Sequence, residues 1–366
     1  MRLAIDATPL LGARTGVGAF VAGLLGELAG RPDLAVTAYG VTGRGRGRLG
    51  AVVPAGVEVS RRPMAVGPLR WAWSRGWAPI EWWTGPVEVV HGTNFVVPPT
   101  RRAAAVVTVH DLTSLHYPEL CDAASLAYPS LLRSAIARGA FVHAVSQFVA
   151  DEVVAHLGAD PARTGVVYSG IPPVGPGDPA RGRHLATSAQ YVLALGTVEP
   201  RKDLPSLVQA FDALAGDRPQ LALVLAGPEG WGAEALHRAI AGARHHRRIV
   251  RLGWVGDTDR ASLLSGATVL AYPSRYEGFG FPPLEAMATG VPVVATRAGA
   301  LPEVLGRAAA LVPVGDSDAL AGALASLLDD PHRRGALIAA GHARVGAYRW
   351  DRCADGLIEL YRRARD

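Results

Sequence analysis

Cysteine is scarce: Cys121 and Cys353 are the only two in 366 residues, far apart and without Cys-x-x-Cys or Cys/His spacing. That excludes a disulfide framework and a structural zinc site, and it fits a reducing compartment. Long apolar runs are missing too, no uncharged stretch approaching the ~18 residues that span a bilayer. The opening MRLAIDATPLLG carries Asp6 inside what would be the apolar core of a signal peptide, so a cytoplasmic chain is expected, neither exported nor threaded through a membrane. Lysine is scarcest of all, Lys202 standing alone among 37 basic residues. A coding bias toward arginine accounts for the background. Against it, one retained lysine marks a place for a compact, flexible ammonium that a planar guanidinium would not replace, a chance surface survivor being the alternative.

Apolar residues make up 49% of the chain, ample for two packed cores at ~150 residues each. Net charge is +5 with a pI near 9.5, which permits an anionic partner. The arginines are scattered and no recognition motif accompanies them, so a nucleic acid is not expected.

Short β-branched runs alternate with alanine- and leucine-rich stretches of helical period, the rhythm of βα units with parallel strands. RLAIDA, LAVTAYG, VEVVHG, AAVVTVHD, FVHAVS and TGVVYSG are strand candidates of the first half. Residues 171–190, with four prolines and three glycines, read as an aperiodic linker. The pattern restarts with YVLALGT, LALVLAG, IVRLGWV, ATVLAYP, VPVVAT and AALVPV, and the tail from Trp350 to Asp366 reads as an amphipathic closing helix. The expected fold is therefore α/β with two doubly wound parallel-sheet domains, 1–175 and 187–349, helix 350–366 packing back on the first. Two such sheets facing across a cleft would line it with the loops that follow their strands.

After ATVLAYP comes SRYEGFGFPPLEAMATG, in which Pro282 and Pro283 mark a helix start. Glu277 is placed in the loop and Glu285 in the first turn, beside a helix end whose N–H groups suit an anion. Two carboxylates there make sense if they contact hydroxyls on either side of a phosphate; a helix-dipole role for Glu285 and a solvated Glu277 are the alternative. After YVLALGT, Arg201 and Lys202 precede Asp203, the expected N-cap of the next helix. Adjacent cations there suit a diphosphate and could stabilise charge developing on it without a metal.

Together GTVEPRKDL, LAGPEG, IVRLGWV, YPSRYEGFGFPPLEAMATGVPVVAT and RAGALPEVL resemble, in order and spacing, glycosyltransferase family 4, the retaining transferases of GT-B fold with two Rossmann-like domains. The resemblance implies that Arg201 and Lys202 hold the diphosphate of a nucleotide-sugar donor, Glu285 the ribose hydroxyls, and Glu277 with the backbone of Gly278, Phe279 and Gly280 the transferred sugar. Val255 would lie near the base. Gly16 and Gly18, read as a loop opening a helix, match the glycine-rich loop that approaches the donor phosphate, and His110 matches the active-site histidine that contacts the donor sugar. Likeness to bacterial mannosyltransferases suggests GDP-mannose, with a hydroxyl acceptor of unknown identity. No cofactor and no metal is expected, and front-face substitution is favoured because no carboxylate is evidently placed as a nucleophile.

Three other readings stay open: a glycosidase using Glu277 and Glu285, a nucleotide-sugar 2-epimerase on the same scaffold, and a non-catalytic nucleotide-sugar binder serving an assembly. His91 and Asn94 are candidate acceptor contacts, while Ser146 reads as a helix cap. Residues 1–105 carry twelve arginines, among them Arg14, Arg44, Arg61, Arg70 and Arg75, against six acidic residues. With Trp71, Trp73, Trp77, Trp82 and Trp83 beside them, they suggest docking on an anionic membrane next to a lipid-linked acceptor. Rings packed in the core or lining the acceptor groove are the equal alternative.

Overall fold

The computed structural model describes residues 1–12, 15–42, 45–60, 62–64 and 66–366. They divide into two compact units, the first formed by Met1–Pro172 with Tyr348–Asp366, the second by Pro173–Ala347. Among the described residues, no helix is long and apolar enough to cross a membrane.

In the first unit β1 (Arg2–Asp6), β2 (Ala35–Tyr39), β3 (Glu58–Val59), β4 (Val89–Gly92), β5 (Ala104–Val109), β6 (Phe141–Ala144) and β7 (Thr164–Val166) form one parallel sheet in the order 3-2-1-4-5-6-7. In the second, β8 (Gln190–Leu195), β9 (Leu221–Ala226), β10 (Ile249–Gly253), β11 (Val269–Tyr272), β12 (Val293–Thr296) and β13 (Ala309–Val312) repeat the scheme as 10-9-8-11-12-13. Each sheet reverses its winding beside its first strand, between β1 and β4 and between β8 and β11. Loops leaving the carboxyl ends of those strands part there and leave a crevice. The two-residue β3 has no readable run of its own, and the sequence pattern does not show it.

The expected linker is partly helical. Asp178 caps a helix at Pro179–Leu185, its carboxylate accepting the Ala180 N–H at 2.8 Å. That helix packs within the second unit so closely that a Cβ on Gly182 would lie 2.1 Å from the Ser262 oxygen. Four prolines masked about two turns of helix, because proline at a first helical position costs nothing.

The first core is closed by the tail. Cys353, Ala354, Leu357, Ile358, Leu360 and Tyr361 share one face of the helix Trp350–Arg365 and are buried with Phe20, Leu24 and Leu28 of the helix Gly16–Ala29. Leaving such side chains exposed would forfeit ~1.5–3 kcal/mol each for the larger ones. A polar chain fixes the same helix to the sheet. His143 Nε2 faces the Val167 carbonyl at 2.9 Å and must donate to it, so its Nδ1 accepts from the Thr108 hydroxyl at 2.8 Å. Thr108 then accepts from His91 Nε2 at 2.6 Å, and His91 Nδ1 accepts from the Tyr361 hydroxyl at 2.7 Å. Every member is buried and hydrogen-bonded in the neutral form.

Candidate active site

The second unit collects its charged side chains at the crevice between β8 and β11. After β8 the chain makes one 3-10 turn, Pro200–Lys202, before the helix Leu204–Ala215. Asp203 stands at the N-cap position in the left-handed region, φ 47°, and does not cap through its side chain. Its carboxylate instead meets Arg275 Nε at 3.1 Å, and the Arg275 N–H donates to the Arg201 carbonyl at 2.8 Å. These bonds tie the loop after β11 to the loop after β8, which is why capping was given up.

Glu277 lies in that β11 loop. Its peptide oxygen accepts the Ala300 N–H at 2.8 Å. The chain passes so near at Gly299, φ 53°, that a Cβ there would sit 2.2 Å from the same oxygen. Held this way, the carboxylate takes Lys202 Nζ at 2.6 Å on one oxygen and Arg201 Nη1 at 2.9 Å on the other. Arg201 also donates to the Tyr276 carbonyl at 2.9 Å and to Glu199 at 3.3 Å, and Lys202 donates to the Tyr272 hydroxyl at 2.6 Å. Burial alone would raise the Glu277 carboxyl, but Arg201 and Lys202 override it and hold it at about 2. Burial pulls Lys202 below its ordinary value, and Glu277 opposes that pull. One buried carboxylate thus keeps two cations charged and aimed in a site where each alone would be costly.

A pocket of about 440 Å³, open mouth included, adjoins this cluster at the carboxyl ends of β8 to β11 and is lined by Gly196, Lys202, Gly227, Arg251 and Tyr272 among others. The helix after Glu277 begins at Phe281, with Gly280 as its N-cap, so Glu285 lies in its second turn, not the first. Pro282 and Pro283 occupy the next two positions and carry no N–H. The supply of helix-end donors is smaller than the sequence reading assumed and falls on the Gly280–Phe281 backbone. Glu285 is buried and ion-paired with Arg260, on the helix Asp257–Gly266 after β10. Val255 is half-buried in the turn before that helix, next to an exposed Trp254.

In the first unit, His110 follows β5 and is half-buried, its Nε2 bonded to the Thr93 carbonyl at 2.8 Å and its ring edge-on to Phe20 and Phe95 at 5.5 and 5.6 Å. Burial lowers it, the Thr93 bond and Asp111 acting the other way. Gly16 and Gly18 are not loop residues: they are the first and third residues of the helix Gly16–Ala29, where the Thr15 hydroxyl accepts the Gly18 N–H at 3.3 Å. A capping threonine extends the helix to its N-terminal side through glycines that propensity would leave outside. His91 cannot meet an acceptor, being wholly buried in the polar chain described above. Ser146 caps the helix Gln147–Leu157 through the Val149 N–H.

Of the tryptophan-rich segment, Trp71, Trp77 and Trp82 are exposed and Trp73 is buried, with Arg75 stacked over Trp71 at 4.2 Å. Arg14, Arg44 and Arg61 of the basic set lie outside the described residues. Sequence reasoning missed Tyr272, Glu199 and Arg260 as partners of the site. Tyr272 at a strand's carboxyl end was a readable signal, whereas Arg260 sits in a polar stretch that looks solvated.

Residues 14–174 match the family described as Glycosyltransferase Family 4, and residues 189–330 match Glycosyl transferases group 1. The chain is 32% identical to the O-antigen chain mannosyltransferase B of Escherichia coli over 282 residues, 75% of this chain and 74% of that one. In several further curated relatives the match spans only 28% to 56% of their length. The fold is shared with sucrose-phosphate synthase from Thermosynechococcus elongatus, TM-score 0.76 at 20% identity over 99% of this chain and 98% of that one. It is shared also with Anabaena HepE, solved in complex with UDP-glucose, TM-score 0.71 at 19% identity over 98% of each. Two parallel α/β sheets of this order, bearing these segments, place the chain: it belongs to glycosyltransferase family 4 and has the GT-B fold.

Proposed function

We propose that the chain transfers mannose from GDP-mannose to a hydroxyl acceptor, with retention at the anomeric carbon and without a metal. The observation that carries this reading is the Glu277 cluster, two cations held side by side at the end of β8. A nucleoside diphosphate presents anionic oxygens that such a pair can also engage, and the charge it gains as the sugar departs falls on donors already oriented. The bond from the anomeric carbon to the diphosphate oxygen breaks while the acceptor oxygen bonds to the same face of that carbon. The acceptor's proton passes to the departing oxygen. Arg201 and Lys202 take up the phosphate charge, Glu277 and the Gly278–Phe279–Gly280 backbone hold the sugar, Glu285 the ribose, and Val255 borders the base. Mannose is supported by the similarity to the E. coli mannosyltransferase.

The test is incubation with GDP-mannose and a mannosylated acceptor in EDTA, reading the product's anomeric configuration by NMR. An α-linked product formed at full rate is expected. Inversion, or activity that vanishes with EDTA and returns with magnesium or manganese, overturns the account. The acceptor is proposed to be lipid-linked at the cytoplasmic membrane face, the exposed Trp71, Trp77 and Trp82 with Arg75 meeting anionic headgroups. Absence of salt-sensitive sedimentation with anionic liposomes removes that part.

A further inference from the structure

The first unit brings together three side chains of the kind that hold a metal ion. His116 ends the one-turn helix Thr113–His116 that follows His110, while Glu152 and His156 belong to the helix Gln147–Leu157 after β6. Four residues apart, Glu152 and His156 stand on one face of that helix, a turn from each other. One ligand atom from each of the three lies within 4.8 Å of the other two. His116 Nε2 meets Glu152 Oε1 at 2.8 Å, and the His116 and His156 rings meet edge to face, 4.9 Å between centroids at 82°.

Two bare lone pairs 2.8 Å apart would repel, so His116 Nε2 carries a proton toward the Glu152 carboxylate. A divalent cation can take that proton's place, the proton leaving Nε2 for Nδ1 or for water. Zinc holds imidazole nitrogen and carboxylate oxygen at about 2.0–2.2 Å in a tetrahedron, which sets such atoms about 3.4 Å apart. The closest pair here must therefore part slightly and the widest must close. Exposed His156 supplies that movement by turning its ring, and half-buried His116 and Glu152 hold the other two ligands in place. His156 lies in the last turn of its helix, just before the left-handed Gly158, and the carboxyl end of a helix favours a cation. Arg133 donates to the His156 carbonyl at 3.3 Å, a positive charge nearby, but at an exposed position where water and salt screen it.

We propose that His116, Glu152 and His156 bind one divalent cation of the zinc class, with water in the fourth position, and that the ion staples the short helix after His110 to the helix Gln147–Leu157. Two imidazoles with one carboxylate favour zinc over magnesium and calcium, which take oxygen ligands. The scarcity of cysteine excludes a thiolate zinc site and leaves this one open. The ion's work is structural. A helix of four residues does not stand by itself, and Asp111, the neighbour of His110, already accepts the Thr113 N–H at 2.9 Å to hold its start. A cation at His116 fixes its other end. None of the three ligands is among the residues proposed for transfer, so the site is compatible with chemistry that needs no metal.

Titration of chelator-treated, desalted protein with zinc chloride and, separately, with magnesium chloride tests it, followed by calorimetry and by thermal melting. One zinc per chain should bind and raise the melting temperature by about 5–10 °C at a hundredfold excess over Kd, while magnesium leaves it unchanged. His116→Ala, Glu152→Gln and His156→Ala should each weaken zinc binding on the order of a hundredfold, at least what losing an outer partner of a metal costs. His156→Ala, at an exposed position, should keep the wild-type melting temperature without metal, which keeps the test alive if either of the others does not fold. No zinc binding by the wild type, equal binding by the variants as at scattered surface histidines, or equal stabilisation by magnesium overturns the proposal. Binding and melting are read without turnover, so failure here leaves the transferase reading standing, and an inactive transferase that binds zinc at these residues leaves the site standing.

Discussion

The two units repeat one strand order but stabilise their centres in opposite electrostatic ways. In the first, His91, Thr108, His143 and Tyr361 form a neutral chain of hydrogen bonds, and burial drives both histidines toward the uncharged form. In the second, Glu277, Arg201 and Lys202 form a charged cluster, in which the two cations hold the Glu277 carboxyl down at about 2 and Glu277 opposes the pull of burial on Lys202. The neutral chain runs across β4, β5 and β6 to the tail helix and locks a fold. The ion cluster lies in loops beyond the strand ends, where replacing it by apolar groups could well stabilise the unit but would remove its chemistry. Shared topology sets where a crevice falls; the residues at it decide whether it is sealed or used.

The largest effect should come from the cluster. Lys202→Ala leaves Glu277 with Arg201 alone and removes one of two oriented donors to the departing phosphate, so transfer from GDP-mannose should fall about 10²–10³-fold. Lys202→Arg should not restore it, because one compact ammonium reaches both Glu277 and Tyr272 at 2.6 Å and a larger planar guanidinium needs a different geometry. Initial rates for the three proteins decide, and a Lys202→Arg enzyme at wild-type rate would break the contrast between a cluster selected for chemistry and a chain selected for packing.

Acid should separate the units next. His91 and His143 have folded values below 6.5, His143 about 4, so below pH 6.5 the unfolded chain takes protons the folded one refuses. Each histidine then costs up to ~1.4 kcal/mol of stability per pH unit until its folded value is reached. Asp6 acts oppositely: raised to about 6, it is protonated in the folded state first and returns a similar slope between about 6 and 3.8. His110, also lowered by burial, adds to the loss, so Asp6 offsets one histidine of three and the first unit loses stability from pH 6.5 downward. Glu277, lowered to about 2, contributes stability above 4.5 that is lost only as pH falls from 4.5 toward 2. Hydrogen exchange by mass spectrometry at pH 7, 5.5 and 4.5, with times scaled for chemical exchange, should show the first unit's strands opening before the second's. Simultaneous opening, or the reverse order, would count against the neutral chain as the weak point.

Much of this was legible beforehand, and for reasons that differ by residue. Arg201, Lys202 and Glu277 could be placed because each directly follows an apolar strand, and a parallel sheet delivers such residues to one edge. Their mutual ion pairs could not, since 75 residues of sequence between Lys202 and Glu277 carry no distance information. His91 misled because a strand-end histidine looks identical whether it faces solvent or completes a buried chain to Tyr361, 270 residues on. Gly16 and Gly18 misled because glycine argues for a loop by propensity, while Thr15 and the packing of the rest of the helix outweigh it. The helix Pro179–Leu185 was hidden by prolines outside and at its start.

The smallest effects offer a paired test of how tightly each unit is closed. Gly23 lies within the helix Gly16–Ala29 and Gly322 within Ser317–Asp329, both where alanine is favoured over glycine by ~1 kcal/mol in a helix interior. Surroundings decide the sign. A Cβ on Gly23 would sit 2.3 Å from the Trp350 ring, which rests on this helix and also against Gly170, so an added methyl must displace the tail helix. Overpacking of that kind typically costs ~1–3 kcal/mol, more than the propensity gain. A Cβ on Gly322 meets nothing within 4 Å, so only the unfolded chain's lost freedom counts, a gain of ~0.4–1 kcal/mol. Thermal melts should therefore show Gly23→Ala lowering Tm and Gly322→Ala raising it slightly. A stabilising Gly23→Ala would mean that the Trp350 contact is loose and that the tail helix is held to the first unit by its apolar face, the His91–Tyr361 bond and surface contacts such as Arg31–Asp355 and Arg363 to the Ala162 carbonyl.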